Sequence, residues 1–150
     1  NDFFGLVSLK CVLVLNEVSI SKLVRKIDHQ NQKLLKNMIS ENGYPNKKNV
    51  GHYDADLILA HSSFEWINMM FPILKKEVER GNLRAITLAN CYDKFASIEG
   101  KEVLYHTLLF LDNKNKIFQT IPEDLEKTNI ARKELGLKPI KLKKNGKRKN

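Results

Sequence analysis

Between Ile20 and Ile39 the apolar residues fall at Ile20, Leu23, Val24, Ile27, Leu34, Leu35, Met38 and Ile39, in steps of three and four. That spacing gathers side chains on one side of an α-helix, whereas a strand would need steps of two. Ser19 or Ser21 can cap the start. The stretch "ENGYP" stops the helix: Gly43 suits the left-handed position after a helix end, and Pro45 forbids continuation. One position breaks the stripe. Asn31 stands where Leu or Ile is expected, either as a second cap after a break at Asp28 or as a buried amide with a partner.

The rest of the chain carries similar punctuation. Residues 46–50 read as a polar loop, and a second helix runs through His61. Ser62-Ser63-Phe64-Glu65 fits a capping box with Ser62 as the cap and Glu65 three residues later. The next helix carries Trp66, Ile67, Met70, Phe71, Leu74 and Val78, with Pro72 inside it to kink it or mark a restart. Gly81 closes that helix, and Asn82 caps another that ends at Gly100. The texture then changes: "EVLYHTLLFL" is β-branched and aromatic, "DNKNK" is turn chemistry and "IFQTI" follows, a hairpin signal. A short final helix begins after Pro122, with Gly136 as its C-cap. The expected fold class is therefore α+β, predominantly α: a compact bundle of four or five helices with a C-terminal β-hairpin. Residues 1–140 form one domain, and 141–150 form a basic, disordered tail.

Charge separates the same two parts. Residues 138–150 hold seven Lys/Arg and no acid, while the other 137 residues set nineteen bases against seventeen acids. A nucleic-acid-binding fold carries its basic face on the body; here the basicity belongs to the appendage, which suits at most weak, salt-sensitive nucleic-acid contact. Cys11 and Cys91 lie eighty positions apart among apolar neighbours. They read as buried small hydrophobes in a reducing compartment. The apolar run "FFGLVSLKCVLVL" contains Lys10 and is too short for a membrane span, so a buried strand or helix is expected there. The expected location is the cytoplasm, with a processed secreted form as the alternative.

The polar residues worth weighing begin with "VGHYDADLILAHSS". His52 reads as a surface residue, and Asp54 and Asp56 as carboxylates that favour the positive end of a helix. His61 closes that helix. It is either a general base or ligand-binding imidazole, or a structural histidine bonded to a carbonyl. Asp93 falls near an apolar face and needs a partner there, either Arg132 in an ion pair that ties in the last helix or a polar cleft. Tyr105, His106 and Thr107 alternate along the expected strand, so Tyr105 and Thr107 share a face. The sequence contains no serine elbow, phosphate loop, metal-ligand set or dinucleotide fingerprint, and it calls for no cofactor.

Taken in order, Gly43-Tyr44-Pro45, Val50-Gly51, His61, Asp93-Lys94, Tyr105-His106-Thr107-Leu108, Asn129, Arg132 and Gly136 form a pattern. It resembles an uncharacterised bacterial domain-of-unknown-function family, whose usual motifs are G-Y/W-P, V-G, a histidine closing the next helix, D-R, Y-G-T-Q and N-x-x-R. The resemblance covers roughly residues 20–140. Two motifs depart from it: Lys94 replaces Arg, keeping the charge without the planar fork, and Y-G-T-Q becomes Tyr-His-Thr-Leu. The family has no assigned reaction. The resemblance implies a shared site in which His61 and Asp93 are the candidate catalytic pair and Tyr105, Thr107 and Arg132 the candidate ligand-binding residues. Three functions follow as expectations. The first is a small-ligand or peptide-binding domain with a polar cleft near His61, Asp93, Tyr105 and Thr107. The second is a hydrolase-like enzyme with His61 as general base, and the third a nucleic-acid-associated protein acting through its tail.

Overall fold

A computed structural model describes residues 3–51, 55–111, 115 and 117–141, with side chains from Ser21 onward except Lys47. Among the described residues the architecture is predominantly α, with six helices and a late two-stranded antiparallel hairpin. The helices are α1 (Phe3–Asn42), α2 (Lys47–Val50), α3 (Asp56–Ala60), α4 (Phe64–Glu79), α5 (Ala85–Ile98) and α6 (Leu125–Glu134). Strands β1 (Phe110–Leu111) and β2 (Ile117–Phe118) pair Phe110 with Phe118 and Leu111 with Ile117. No helix among the described residues is long and apolar enough to cross a membrane. His52, Asp54 and the tail beyond Lys141, which the sequence reading also weighed, lie outside the described residues.

Helix α1 runs unbroken through Asp28 and Asn31, so Asn31 caps nothing. Gly43 ends the helix with φ +78°, and its N–H donates to Ile39 O at 3.1 Å. The apolar stripe of α1 proves to be two. Leu35 and Ile39 enter the core, while Leu23, Ile27, Leu34 and Met38 face solvent. The core is built where α4 and α5 pack on each other and α3 packs between α5 and α1, around Leu35, Leu59, Ile67, Met70, Leu74 and Leu88, all under 2% exposed.

Several caps fall elsewhere than expected. The cap of α4 is Ser63, which accepts from Trp66 N at 3.1 Å; Ser62 instead is buried and donates to Ile58 O. Helix α4 continues through Pro72, whose ring lies on its exposed side. Asn82 caps no helix: α5 starts after Arg84 without a side-chain cap, and Asn82 donates to Glu77 Oε2 at 2.9 Å. Residues 46–50, expected as loop, form the single turn α2 under an Asn46–Asn49 capping box.

Glu77 is a second organising point. It follows Ile67, Met70 and Leu74 on the buried face of α4 and is itself 1% exposed. It accepts from the Tyr44 amide at 2.8 Å, from Asn82 and from Arg80, tying the end of α1 to the end of α4. Burial pushes its carboxyl up. The donors outweigh that, led by the Asn82 amide, followed by the Tyr44 amide and Arg80, and hold the group below the usual carboxylate range.

Candidate functional site

The segment expected as one strand over 102–111 is a strand only at Phe110–Leu111; residues 101–109 take no regular form. The reason lies on α5. Asp93 is fully buried, and both its oxygens are occupied by this segment. Oδ1 accepts from the amides of Leu104 (3.1 Å) and Tyr105 (2.9 Å). Oδ2 accepts from the amide and the hydroxyl of Thr107 (2.7 and 2.8 Å). Three amides converging on one carboxylate cannot at the same time lie in a ladder. His106, between them, takes φ +48°, a left-handed conformation that a strand does not contain. Tyr105 and Thr107 are nevertheless both buried, as the alternation expects.

Tyr105 closes an aromatic cluster, stacked on Phe71 (centroids 6.2 Å apart) and edge-on to Tyr92 (5.6 Å). Burial, then Tyr92 and the Asp93 charge, push its hydroxyl well above the ordinary tyrosine range, so it stays a neutral phenol. Arg132 reaches the same segment from α6: Nη1 donates to Tyr105 O at 2.6 Å, and Nε donates to Lys138 O at 2.8 Å. One turn earlier, Asn129 exchanges two bonds with the backbone of Ile140. Asp93, Tyr105, Thr107 and Arg132 thus come together as a buried clamp on backbone groups.

His61 stands elsewhere. It follows α3, with its side chain 56% exposed and Nδ1 3.9 Å from Asp28 Oδ1 on α1. Asp28, Asn31, Leu57, Ile58 and His61 line a small cleft of about 190 Å³ between α1 and α3. Asn31, the odd polar residue on the α1 stripe, therefore faces the His61 cleft.

A larger groove, about 380 Å³, opens between α3 and α5. Arg84, Thr87, Cys91 and Lys94 recur at steps of three and four, so α5 turns one face into it. Arg84 and Thr87 bond Asp56 Oδ2 at 2.6 and 3.1 Å, and the buried Tyr44 hydroxyl donates to its Oδ1 at 3.2 Å. Asp56 is thus more than a helix-start charge. Lys94 reaches across to Ala60 O at 2.7 Å, and its ammonium lies 5.0 Å from the centre of the Phe95 ring. Asn90, Ala60 and Leu108 complete the lining. Burial lifts the Cys91 thiol to about 11, so it is a neutral thiol rather than a nucleophile.

A third cleft of about 700 Å³, near the start of α6, is lined by His106, Glu102, Asp124 and Lys127 among others. Lys127 is paired with Glu102 there. Among the described residues no group of three His, Cys, Asp or Glu side chains could hold a metal ion.

Sequence reasoning missed Glu77 and Arg84. The spacing Ile67–Met70–Leu74–Glu77 carried a signal for the first; nothing local marked the second. Compared with known protein families, with curated proteins and with solved structures, the chain matches none.

Proposed function

We propose that the chain is a binding domain of the uncharacterised bacterial family that its sequence resembles, and that it takes a small ligand or a peptide end in the α3–α5 groove. The observation that carries this reading is the convergence of Arg84 and Lys94 on one groove with Thr87, Asn90 and Asp56, above the apolar Ala60, Cys91 and Leu108. A volume of about 380 Å³ lies within the range of small-molecule sites, which combine apolar walls with a few placed polar groups. Lys94 gives one proton to Ala60 O, and an ammonium carries three. The chemistry suits a small molecule with a carboxylate or similar acceptor on an apolar body.

The groove adjoins the residues weighed from sequence: Ala60 precedes His61, Lys94 follows Asp93, and Leu108 follows Thr107. Asp93, Thr107 and Arg132 then act as supports that fix its wall. Lys94 and Leu108 are also two of the three pattern positions at which this chain departs from the family it resembles, and both line the groove, so its ligand differs from that of a chain with Arg and Gln there. The hydrolase alternative is less favoured, because the oxygens of Asp93 are taken by backbone and His61 is more than half exposed beside Asp28.

The test is amide-shift mapping by nuclear magnetic resonance against a panel of small carboxylates and peptides with free C-termini. The expected shifts cluster at Thr87, Asn90, Lys94 and Leu108, and Lys94→Gln weakens the best binder about tenfold or more. Shifts mapping to other surfaces, or no saturable binder in the panel, refute the reading. Conversion of a panel member to product would favour the hydrolase.

A further inference from the structure

Independently of the groove, the outward face of α1 carries a second interaction surface. Leu23, Ile27, Leu34 and Met38 are 58, 45, 59 and 41% exposed. At 3.6 residues per turn they fall within about 60° of one another on the helix surface. They form one stripe, distinct from the Leu35–Ile39 face that enters the core. Scattered surface leucines need no explanation, but four large apolar side chains on one face, in two pairs (Leu23–Ile27 and Leu34–Met38) on either side of Gln30, do.

Charge selects the occupant. Lys22, Lys26 and Lys33 each immediately precede a residue of the stripe (Lys22-Leu23, Lys26-Ile27, Lys33-Leu34), so a row of ammonium groups runs along one edge. Arg25, His29 and Lys36 continue the exposed basic arc beyond that row. None of the three lysines has an acidic partner among the described residues. A second copy packing antiparallel on this stripe would set lysine row against lysine row. A parallel copy would meet the body on the opposite flank. The stripe is also convex, the surface of a single helix, which suits a flat and deformable partner.

We propose that α1 lies on an anionic membrane surface. Leu23, Ile27, Leu34 and Met38 enter the boundary between headgroups and acyl chains, and Lys22, Lys26 and Lys33 contact lipid phosphates and carboxylates. An apolar face flanked by lysines is the physical signature of a helix that lies in the interface without spanning it.

The test uses the full chain in co-sedimentation with vesicles of phosphatidylcholine, with and without phosphatidylserine. Binding is expected to require the anionic lipid. Lys22→Gln, Lys26→Gln and Lys33→Gln together should weaken it about a hundredfold, at about fivefold for each charge. Leu23→Gln with Leu34→Gln should weaken it roughly tenfold or more while leaving the circular dichroism and thermal midpoint in place, because both side chains are more than half exposed. The tail is present in every variant, so these differences report on α1. Failure of the parent to sediment with anionic vesicles overturns the proposal, as does unchanged binding by the leucine variant. A dimer in sedimentation equilibrium that the leucine variant dissociates would assign the stripe to a second copy and overturn it equally.

Discussion

Replacing Asp93 by Asn keeps the shape of the side chain and removes one acceptor oxygen. Whichever way the amide turns, its NH₂ faces backbone amides that now have no acceptor. With nitrogen in the Oδ2 position it meets the Thr107 amide, 2.7 Å away in the parent, donor against donor, while the Thr107 hydroxyl can rotate to accept. One buried N–H is then left without a partner, at a cost of about 1–3 kcal/mol. The opposite orientation strands two, those of Leu104 and Tyr105. Asp93→Ala removes the acceptor from three amides and a hydroxyl and should cost about 3 kcal/mol or more, at about 1–3 kcal/mol for each buried amide left unpaired. The assay is urea unfolding of parent, Asn and Ala variants, with hydrogen exchange read at Leu104, Tyr105 and Thr107. Their exchange should quicken about tenfold to a hundredfold in the Asn variant, in step with the stability lost. An Asn variant within about 0.5 kcal/mol of the parent, with those three amides exchanging as before, would show that segment 101–109 does not hang on this carboxylate.

Gly43→Ala should cost about 1–2 kcal/mol in thermal or urea unfolding: φ +78° strains any side chain, and the new Cβ would lie 3.2 Å from Glu77 Oε2, which the Tyr44 amide and Asn82 hold in place. Gly136→Ala, at φ +79° with open space around it, should show the strain alone, about 1 kcal/mol. The carboxyl of Glu77 titrates lower in the folded chain than its ordinary 4.5, so its contribution is fully present above that value and is lost as pH falls through the lower folded pKa. Glu77→Gln should therefore flatten the stability profile below about pH 4.5, and a profile parallel to the parent's would refute the assignment. His61→Ala should change stability by less than about 0.5 kcal/mol, since the ring is exposed and its ion pair with Asp28 is long; a larger loss would make His61 a structural residue.

What was legible in the sequence was local. Gly43 stops α1 because a left-handed residue and the proline two positions later act on their own neighbours. His61 ends α3 and Gly136 follows α6 for similarly short-range reasons. What was not legible depended on partners distant in sequence. Leu34 and Leu35 are equally apolar, and only the packing of α3 on α1 decides that Leu35 is the buried one. Ser62 and Ser63 are equally good caps, and the helix took the one that leaves the other able to bond Ile58 O. The run "EVLYHTLLFL" has the composition of a strand, but a carboxylate 11 to 14 positions earlier captures its amides first. For the candidate site, His61, Asp93, Tyr105, Thr107 and Arg132 stood out as polar or aromatic residues in apolar surroundings. That signal does not distinguish a residue facing a ligand from one facing backbone.

The C-terminal third explains why so many polar residues are needed. Segments 101–109 and 135–141 lie outside helix and ladder, yet Tyr105, Thr107, Leu135 and Ile140 within them are buried, and buried amides and carbonyls must be paired. Asp93 takes three amides, Arg132 takes the carbonyls of Tyr105 and Lys138, and Asn129 takes both groups of Ile140. These side chains stand in for the strand that is not there. The same geometry sets the backbone at residue 106. Asp93 can reach amides on both sides of residue 106 only if that residue turns left-handed. Glycine does so freely; His106 does so at a cost of about 1 kcal/mol, offset in part by its contact with Thr120 at 3.0 Å. Leu108 is past the clamp and lines the α3–α5 groove, where it presents an apolar wall. Residue 106 thus sets the path of the segment, and residue 108 the chemistry of the groove wall.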